Sequence, residues 1–381
     1  GLERTRDGPA RAARCRDREP VPSWGFRGIP ALSAALVSPH EFLAELERRG
    51  LVAAGARVPE HDAEVWRTYL GLYTSFVADP RDIAIVLTPA GLGFYCDPLD
   101  DNEAYVWALT GAICCPTLPL SPGQLVTAMA GALEAFDAVG IAAPAIVTEA
   151  FGMLGPPEPS LDDRFVWLRS PRACFTDGFE AYVRSLSKSR RQQLRGLLAR
   201  YDEPHGFTFE LSTRGPDAAE LDFVEDHLRR RWGPEDAPFA LVQSLWATAI
   251  ARVMPEHARF MRVRHHGALV FLNGFVVKDD LIVSQCTCKH EGHDFDGLGT
   301  LVDFAVIRAL CEAGSGIRRL DPTCRLSLFD PPSIEVAKRK VVNEDARRPL
   351  LLAGSWLAGE AWPAPAQLSA RAWAMMGFQV V

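Results

Sequence analysis

The chain has 381 residues, of which 48% are hydrophobic and 23% charged, and its formal net charge is −7. This composition predicts a globular protein long enough for two domains, and the acidic balance excludes an overall basic field for binding DNA or anionic membranes. No apolar run reaches the roughly 18 residues of a membrane-spanning helix. The nine cysteines show no framework spacing, which predicts reduced thiols and a cytoplasmic location.

The first half of the chain alternates short helical and strand patterns. Residues 1–22 are rich in Arg but also carry acids and have no apolar centre, so we expect a disordered tail rather than a secretory signal. Helices are predicted at 38–50, 62–76 and 124–139 and strands at 82–87, 91–95 and 144–148, while 105–109 fits either type. The Pro-rich, acidic stretch 154–163 is the predicted linker between two domains.

A basic helical region opens the second half of the chain. Leucines recur at helical spacing between 178 and 201, and no acid follows Glu180 there. The cations of this region are Arg184, Lys188, Arg190, Arg191, Arg195 and Arg200. Such a pattern is either a solvated face or a surface for an anionic donor or substrate. In the second case, reversing the charges of Arg191 and Arg195 is expected to weaken donor binding.

Residues 267–322 contain the pattern with the most chemical content. Two or three strands around the polar turn 278–280 are followed by a polar segment, a periodic helix that ends before Gly314, and a strand at 317–321. The turn Asp294-x-x-Gly297-x-Gly299-Thr300 lets backbone N–H groups approach an anion at a helix N-terminus. The pyrophosphate of coenzyme A is such an anion, although glycines here also serve simple turns.

The order of hairpin, glycine turn, helix and strand resembles the GNAT superfamily of N-acyltransferases. The pattern Leu-Ser-Lys-x-x-Arg-x-x-Leu-Arg at 186–195, the strand 316–321 and the basic run 337–340 further resemble FemAB-like and CelD-like tandem GNAT proteins. The resemblance covers residues 165–345 by motifs and 30–165 by element order. In the superfamily loop Q/R-x-x-G-x-G/A, the first position is Asp294 here, a departure that weakens the expectation of a CoA donor.

The resemblance implies an α/β fold of two tandem GNAT-like domains, each with a mixed, mostly antiparallel sheet flanked by helices. After the tail at 1–22, the expected N-terminal domain is 23–160, without a donor site. The expected C-terminal domain is 161–381, with the donor and acceptor cleft. The turn, helix and strand at 121–148 repeat the order seen around Gly297, which suggests an internal duplication.

The resemblance also implies where the chemistry takes place. Transfer needs a neutral amine, a carbonyl held beside it, and N–H donors for the oxyanion from the strand before the glycine loop. Candidate bases are Asp321, Glu291 and His290, although each also fits an ordinary surface or capping residue. The candidate donor-binding residues are Ser284, Gln285, Asp294, Gly297, Leu298, Gly299, Thr300, Arg191 and Arg195.

The spacing Cys286-x-Cys288-x-His290-x-x-His293 also fits the ligand types of a zinc site. Alternate residues of a strand share one face but are separated by about 6.6 Å along it. Four ligands around one ion would therefore require the strand to break. We expect no metal, and we favour the cysteines as part of a cleft wall or of the core.

The sequence thus predicts an N-acyltransferase that moves an acyl or aminoacyl group from a thioester or ester donor to a primary amine of a small metabolite or envelope precursor. Acyl-CoA is the expected donor, with an acyl carrier protein or an aminoacyl-tRNA as alternatives. A GNAT-like binding scaffold without catalysis is the alternative from another class. The expected partner is a small-molecule amine; neither DNA binding nor a membrane span is expected, and the oligomeric state is left open.

Overall fold

The structure is a computed structural model of the chain. It describes residues 35–37, 39–50, 52–76, 84–87, 93–100, 103–108, 145–149, 165–169, 172–232, 237–290, 295–322, 340–344 and 347–354. The predicted tail, the helix at 124–139 and the linker at 154–163 lie outside these ranges, as do Glu291 and Asp294. No helix in the described ranges is long and apolar enough to cross a membrane.

The described part of the chain contains seven α-helices and thirteen strands. The helices are α1 (Pro39–Arg48), α2 (Ala63–Phe76), α3 (Phe179–Ser185), α4 (Lys188–Arg200), α5 (Ala218–Trp232), α6 (Ala237–Val253) and α7 (Leu298–Glu312). The first strands are β1 (Ala35–Val37), β2 (Ala84–Leu87), β3 (Gly93–Asp100), β4 (Glu103–Ala108), β5 (Ala145–Glu149), β6 (Phe165–Arg169) and β7 (Ala173–Cys174). The others are β8 (Phe207–Ser212), β9 (Ala258–His265), β10 (Ala268–Lys278), β11 (Leu281–Lys289), β12 (Arg319–Asp321) and β13 (Arg347–Gly354).

Most predicted elements in these ranges are confirmed, and the ambiguous segment 105–109 lies largely in strand β4. The basic region 178–201, which we predicted as one helical segment, is instead two helices. Leu186 is extended (ψ 154°) at the end of α3, and Ser187 caps α4 by accepting a hydrogen bond from the Arg190 amide at 3.4 Å. A serine in this position satisfies one of the free amides of a new helix, which explains the break.

Two sheets organise the described strands. The first has the order β1-β2-β3-β4-β5-β13-β6, and the second has the order β7-β12-β11-β10-β9-β8. Read from β1 and from β8, each sheet begins with four consecutive antiparallel strands, followed by one parallel pair, β4–β5 or β11–β12. The strand beyond each parallel pair, β13 or β7, is again antiparallel. The two sheets therefore repeat one strand order.

The predicted domain boundary at residue 160 stays a prediction. Strands β6 and β13 follow that position in the chain, and both belong to the first sheet. The first sheet therefore takes strands from both sides of the predicted boundary.

The second sheet has packed helices on both faces. On one face, Leu197 of α4 and Leu301 of α7 join the core with Met261 and Phe271 of the sheet. Helix α6 lies on the other face, where the side chain of Ala247 packs over Gly274. Since alternate strand residues point to opposite faces, the long buried strands β9 and β10 supply apolar side chains to both layers.

Helix α2 packs against α6 through three aromatic rings. The ring centroids of Trp66 and Trp246 are 5.0 Å apart, and those of Tyr69 and Trp246 are 5.2 Å apart. All three residues are buried. Aromatic pairs at these distances add roughly 0.5–1.5 kcal/mol of stability beyond their burial. They therefore stabilise the packing of α2, from the first half of the chain, against α6 on the second sheet.

A buried ion pair lies on the α6 side of the second sheet. Arg262 of β9 is fully buried, and its Nε and Nη2 donate to the Glu220 carboxylate at 2.7 and 2.9 Å. Burial alone would raise the pKa of Glu220, but the hydrogen bonds and charge of Arg262 outweigh it, so the pKa is lowered. Further donation to Ser212 and to the Arg214 and Gly215 carbonyls satisfies the guanidinium, as a buried charge requires.

Candidate functional site

The site lies where strands β11 and β12 separate. They pair in parallel over three residues of each strand, ending with Val283 opposite Asp321. Strand β11 continues to Lys289 and stays paired with β10 on its other edge. No described residue pairs with the β12-facing edge of β11 beyond Val283. An unpaired strand edge offers backbone N–H and C=O groups to a ligand.

A β-bulge marks the start of this open edge. Gly274 of β10 lies opposite Cys286 of β11. The next residue, Phe275, lies opposite Ser284. Gln285 is therefore the extra residue of the bulge, a feature that often re-aims a side chain next to an active site.

The bulged Gln285 carries an unsatisfied polar atom. Its side chain is buried, and its Oε1 accepts no hydrogen bond from any described residue. A buried carbonyl oxygen without a partner costs about 1–3 kcal/mol. A ligand N–H group in the opening would remove that cost.

Ser284 and Asn273 hold β11 to β10 beside the bulge. The Ser284 hydroxyl donates to Asn273 Oδ1 at 3.2 Å, and both residues are buried. The predicted contact of Ser284 with the donor stays a prediction, since in the structure its hydroxyl supports the neighbouring strand.

The N-terminus of α7 supplies free backbone donors. Gly297 is its N-cap in a left-handed conformation (φ 79°), without a side-chain cap. The amide of Leu298 donates to Phe295 O and that of Leu301 to Gly297 O, both at 3.1 Å. The amides of Gly299 and Thr300 have no hydrogen-bond partner within the described ranges. These two donors and the helix dipole fit an anionic group.

The turn before α7 is fixed by the end of α4. The Tyr201 hydroxyl donates to the carbonyl oxygen of Asp296 at 2.7 Å, and Arg200 Nη1 approaches the same oxygen at 3.5 Å. The ring of Tyr201 also contacts that of Phe295, with centroids 6.4 Å apart. Helix α4 therefore positions the glycine turn, which the sequence pattern did not indicate.

Asp321 lies at the end of β12 and is fully buried. Arg172, 149 positions away in the chain, approaches its carboxylate with Nε at 3.4 Å. This ion pair joins the residue before β7 to the end of β12, the strand that borders the opening. Arg172 was not among the predicted residues, because no local pattern links it to Asp321.

His290 follows the last residue of β11 and is half-buried, and its amide donates to Val270 O at 2.8 Å. It is the more accessible of the two described base candidates. Cys288, part of the zinc-like spacing, is fully buried. No group of three or more His, Cys, Asp or Glu residues able to hold a metal occurs among the described residues.

The two predicted arginines differ in their surroundings. Arg191 Nη1 donates to the carbonyl oxygens of Arg184 at 3.0 Å and Leu186 at 2.5 Å, so it caps the end of α3. Arg195 is exposed. In the described ranges, neither side chain forms an ion pair with a carboxylate.

Residues 188–325 match the model of the acetyltransferase (GNAT) domain family. The match begins with α4 and includes β8 to β12 and α7, so it contains the open strand edge and the free helix N-terminus. This segment is a GNAT-type acyltransferase domain, and the predicted enzyme class and α/β GNAT-like fold are confirmed for it. The narrower FemAB-like or CelD-like membership stays a prediction.

No curated protein matches the chain. Among solved structures, L-PGS from Bacillus licheniformis is 13% identical with a TM-score of 0.43, and the match covers 88% of this chain and 97% of that protein. A tandem GNAT protein from the clavulanic acid biosynthesis pathway is 13% identical with a TM-score of 0.41, covering 87% and 99%. A GCN5-related N-acetyltransferase from Sphaerobacter thermophilus is 15% identical with a TM-score of 0.34, covering 85% and 96%.

Proposed function

We propose that the chain is an N-acyltransferase of the FemAB-like, tandem GNAT type. It transfers an acyl or aminoacyl group from a thioester or ester donor to a primary amine of a small metabolite or envelope precursor. The observation that carries this proposal is an open β11 edge together with the free amides of Gly299 and Thr300. The open strand edge suits a carbonyl, and the amides suit a phosphate-bearing donor.

The donor is an acyl-CoA in this proposal. The amides of Gly299 and Thr300 would hold its pyrophosphate, with Gly297 and Leu298 shaping the turn. Coenzyme A, when bound, supplies an activated thioester. Neither predicted arginine pairs with a carboxylate in the described part of the chain, but the Arg191 guanidinium already donates to backbone carbonyls. We therefore expect Arg195 to contribute more to donor binding. Asp294, the first residue of the turn motif, lies outside the described ranges, and its contact with the donor stays a prediction.

The acyl carbonyl would lie along β11 in the opening. Backbone N–H groups beyond Val283 can then stabilise the oxyanion, and Gln285 Oε1 can accept a hydrogen bond from a donor or acceptor N–H group. His290 directly follows the last residue of β11 and is the base candidate that this strand offers.

The acceptor amine must lose a proton before or during attack. We propose that His290 or Glu291 takes this proton, because His290 is partly accessible at the end of β11. The third candidate, Asp321, is buried and paired with Arg172. That environment supports a positioning role for Asp321 at the strand opening over direct proton transfer.

The tandem arrangement is also part of the proposal. The repeated strand order of the two sheets supports an internal duplication. In this proposal the domains are 23–160 and 161–381, only the second holds the donor site, and β6 and β13 from the second part complete the first sheet. The thiols of Cys174 and Cys311 form no disulfide, which is consistent with the proposed cytoplasmic location.

Native mass spectrometry with coenzyme A, acetyl-CoA and a charged tRNA mixture tests the donor class. A Cβ atom at Gly299 would lie 3.7 Å from the Phe271 ring, an ordinary contact, so Gly299→Ala is a matched control that should fold and bind CoA. Gly299→Glu places a carboxylate at the free amides and should remove the CoA adduct.

The outcomes separate the alternatives. Binding of charged tRNA without CoA would assign an aminoacyl-tRNA donor. Binding of CoA without transfer to any amine in a panel would favour a non-catalytic scaffold. A CoA adduct that persists in Gly299→Glu would contradict the proposed donor site.

A further inference from the structure

One side of helix α4 carries three cations and a leucine. Lys188, Arg191, Arg195 and Leu198 recur at helical spacing and so lie along one stripe, here called the α4 stripe. Leu194 of α4 is buried in the core, whereas Lys188, Arg195 and Leu198 are exposed and Arg191 is half-buried. The stripe therefore faces solvent.

The positive charge of the stripe is not compensated within the described part of the chain. Helix α4 contains no acidic residue in the segment KSRRQQLRGLLAR, and no ion pair to the stripe is present in the described ranges. Elsewhere, exposed helical arginines pair with carboxylates four residues away, as in Arg229–Glu225, Arg230–Asp226 and Arg308–Glu312. On a chain of net charge −7, the stripe is a local positive field that attracts an acidic surface.

Leu198 indicates what kind of polyanion fits the stripe. It is 43% exposed, and Val58 is the one other large hydrophobic residue with such exposure in the described ranges. An exposed apolar side chain among cations suits a protein interface with an apolar centre and a polar rim. A phosphate backbone offers it no apolar partner, and a membrane surface requires a larger apolar face.

The stripe lies beside the donor end of the site. Leu197, next to Leu198 in α4, lies against Gly297 at the start of α7. Tyr201, at the end of the same helix, donates to the carbonyl oxygen of Asp296. A protein bound on the stripe would therefore sit next to the free amides of Gly299 and Thr300.

We propose that the α4 stripe is the docking surface for an acidic acyl carrier protein, which presents the acyl thioester on a phosphopantetheine arm. This inference rests on the proposed function and adds, beside free acyl-CoA, a second carrier of the same phosphopantetheine thioester. The arm has one phosphate for the α7 N-terminus and a thioester for the β11 opening. In the transfer, the amine nitrogen bonds to the carbonyl carbon, the C–S bond breaks, and the amine proton ends on the leaving sulfur. The carrier departs with a free thiol.

Binding of a purified acidic holo carrier protein, measured beside binding of coenzyme A, tests the inference. Lys188→Glu and Leu198→Ser should lower the ratio of carrier affinity to CoA affinity by about tenfold or more, equivalent to about 1.4 kcal/mol. Arg252 of α6 is exposed and forms no ion pair in the described part of the chain. Arg252→Glu is therefore the matched charge-reversal control and should leave that ratio unchanged. Added salt should weaken carrier binding more than CoA binding.

The results distinguish failure of this inference from failure of the proposed function. If the wild-type protein binds and uses acetyl-CoA but not the holo carrier, the docking inference is overturned and the proposed function stands. Equal carrier affinity in Lys188→Glu and Arg252→Glu would also overturn it. A stripe-dependent affinity for charged tRNA that exceeds the affinity for the carrier would replace it with a nucleic-acid surface. Absence of binding to CoA, carrier and tRNA would remove the proposed function as well.

Discussion

Leu197 of α4 occupies the space that a Cβ atom on Gly297 would need. Its Cδ2 lies 2.6 Å from that position, and Gly297 has φ 79°. Both the backbone conformation and the packing of α4 therefore require glycine at the start of α7. At Gly299, two residues later, a Cβ atom would make only an ordinary contact.

Gly297→Ala is expected to destabilise the protein by about 1–3 kcal/mol, because it combines a strained positive φ with overpacking against Leu197. Urea unfolding measures this loss. The second substitution Leu197→Ala should not restore the wild-type value, since it relieves the clash but creates a cavity and leaves the strain. Gly299→Ala is the control, with an expected change below about 1 kcal/mol. Equal losses in the two single variants would contradict the distinct roles of the two glycines.

Tyr201→Phe should loosen the glycine turn without removing the aromatic contact. The substitution deletes the hydroxyl that donates to the Asp296 carbonyl, at a cost of about 1 kcal/mol. We expect CoA affinity to fall about fivefold, measured by calorimetry. Tyr182→Phe is the control: it removes a hydrogen bond to the Val341 carbonyl and should lower stability while leaving CoA affinity unchanged. Similar CoA affinities of the two variants would show that Tyr201 does not position the turn.

The local parts of the site follow from the sequence, and the long-range parts do not. The order of hairpin, turn, helix and strand follows from the hydrophobic periodicity and from Gly297 and Gly314. Each of these signals is contained in a short stretch of sequence. The bulge at Gln285 depends on the register of β11 against β10, which a single strand pattern does not encode. The pair of Arg172 with Asp321 joins positions 149 residues apart. The break at Ser187 has a local signal, a serine N-cap, that the continuous basic pattern obscured.

Glu220→Gln should be strongly destabilising. It leaves the fully buried Arg262 without its counter-charge, and breaking a buried pair from one side costs about 3–5 kcal/mol. Glu225→Gln, which breaks the exposed pair with Arg229, should cost less than about 1 kcal/mol. Urea unfolding at neutral pH measures both, and a small loss in Glu220→Gln would contradict the structural importance of the buried pair.

The pH dependence of unfolding gives the same pair an independent signature. The pKa of Glu220 is lowered in the folded protein. Its stabilising contribution is therefore complete above the unfolded pKa and is lost as the pH falls through the lower, folded pKa. The wild-type protein should lose stability with acidification more steeply than Glu220→Gln. Parallel profiles would show that the carboxylate does not stabilise the fold.

The roles of Asp321 and His290 can be separated by comparing kinetics with stability. If Asp321 acts through its ion pair, Asp321→Asn and Arg172→Gln should lower stability by similar amounts, about 1–3 kcal/mol, and lower kcat together. If His290 takes the amine proton, His290→Gln should lower kcat by about 10²-fold or more with little change in stability. Loss of activity in Asp321→Asn with full activity in Arg172→Gln would instead assign proton transfer to Asp321.

Gln285→Leu should improve folding and impair function. The unsatisfied Oε1 of Gln285 is buried at the bulge, so replacing the amide with an apolar group of similar size should leave the free energy of unfolding unchanged or raise it by about 1 kcal/mol. If that oxygen accepts a hydrogen bond from a ligand, kcat/KM for transfer should fall about tenfold or more.

Ser284→Ala provides the contrast, because it removes a hydrogen bond that exists within the protein. It leaves Asn273 Oδ1 without the Ser284 hydroxyl and should cost about 1–3 kcal/mol of stability. Urea unfolding and steady-state kinetics on both variants decide the point. A polar atom kept for a ligand lowers stability until that ligand binds. A Gln285→Leu protein that is destabilised and fully active would therefore show that Gln285 stabilises the fold and does not bind a ligand.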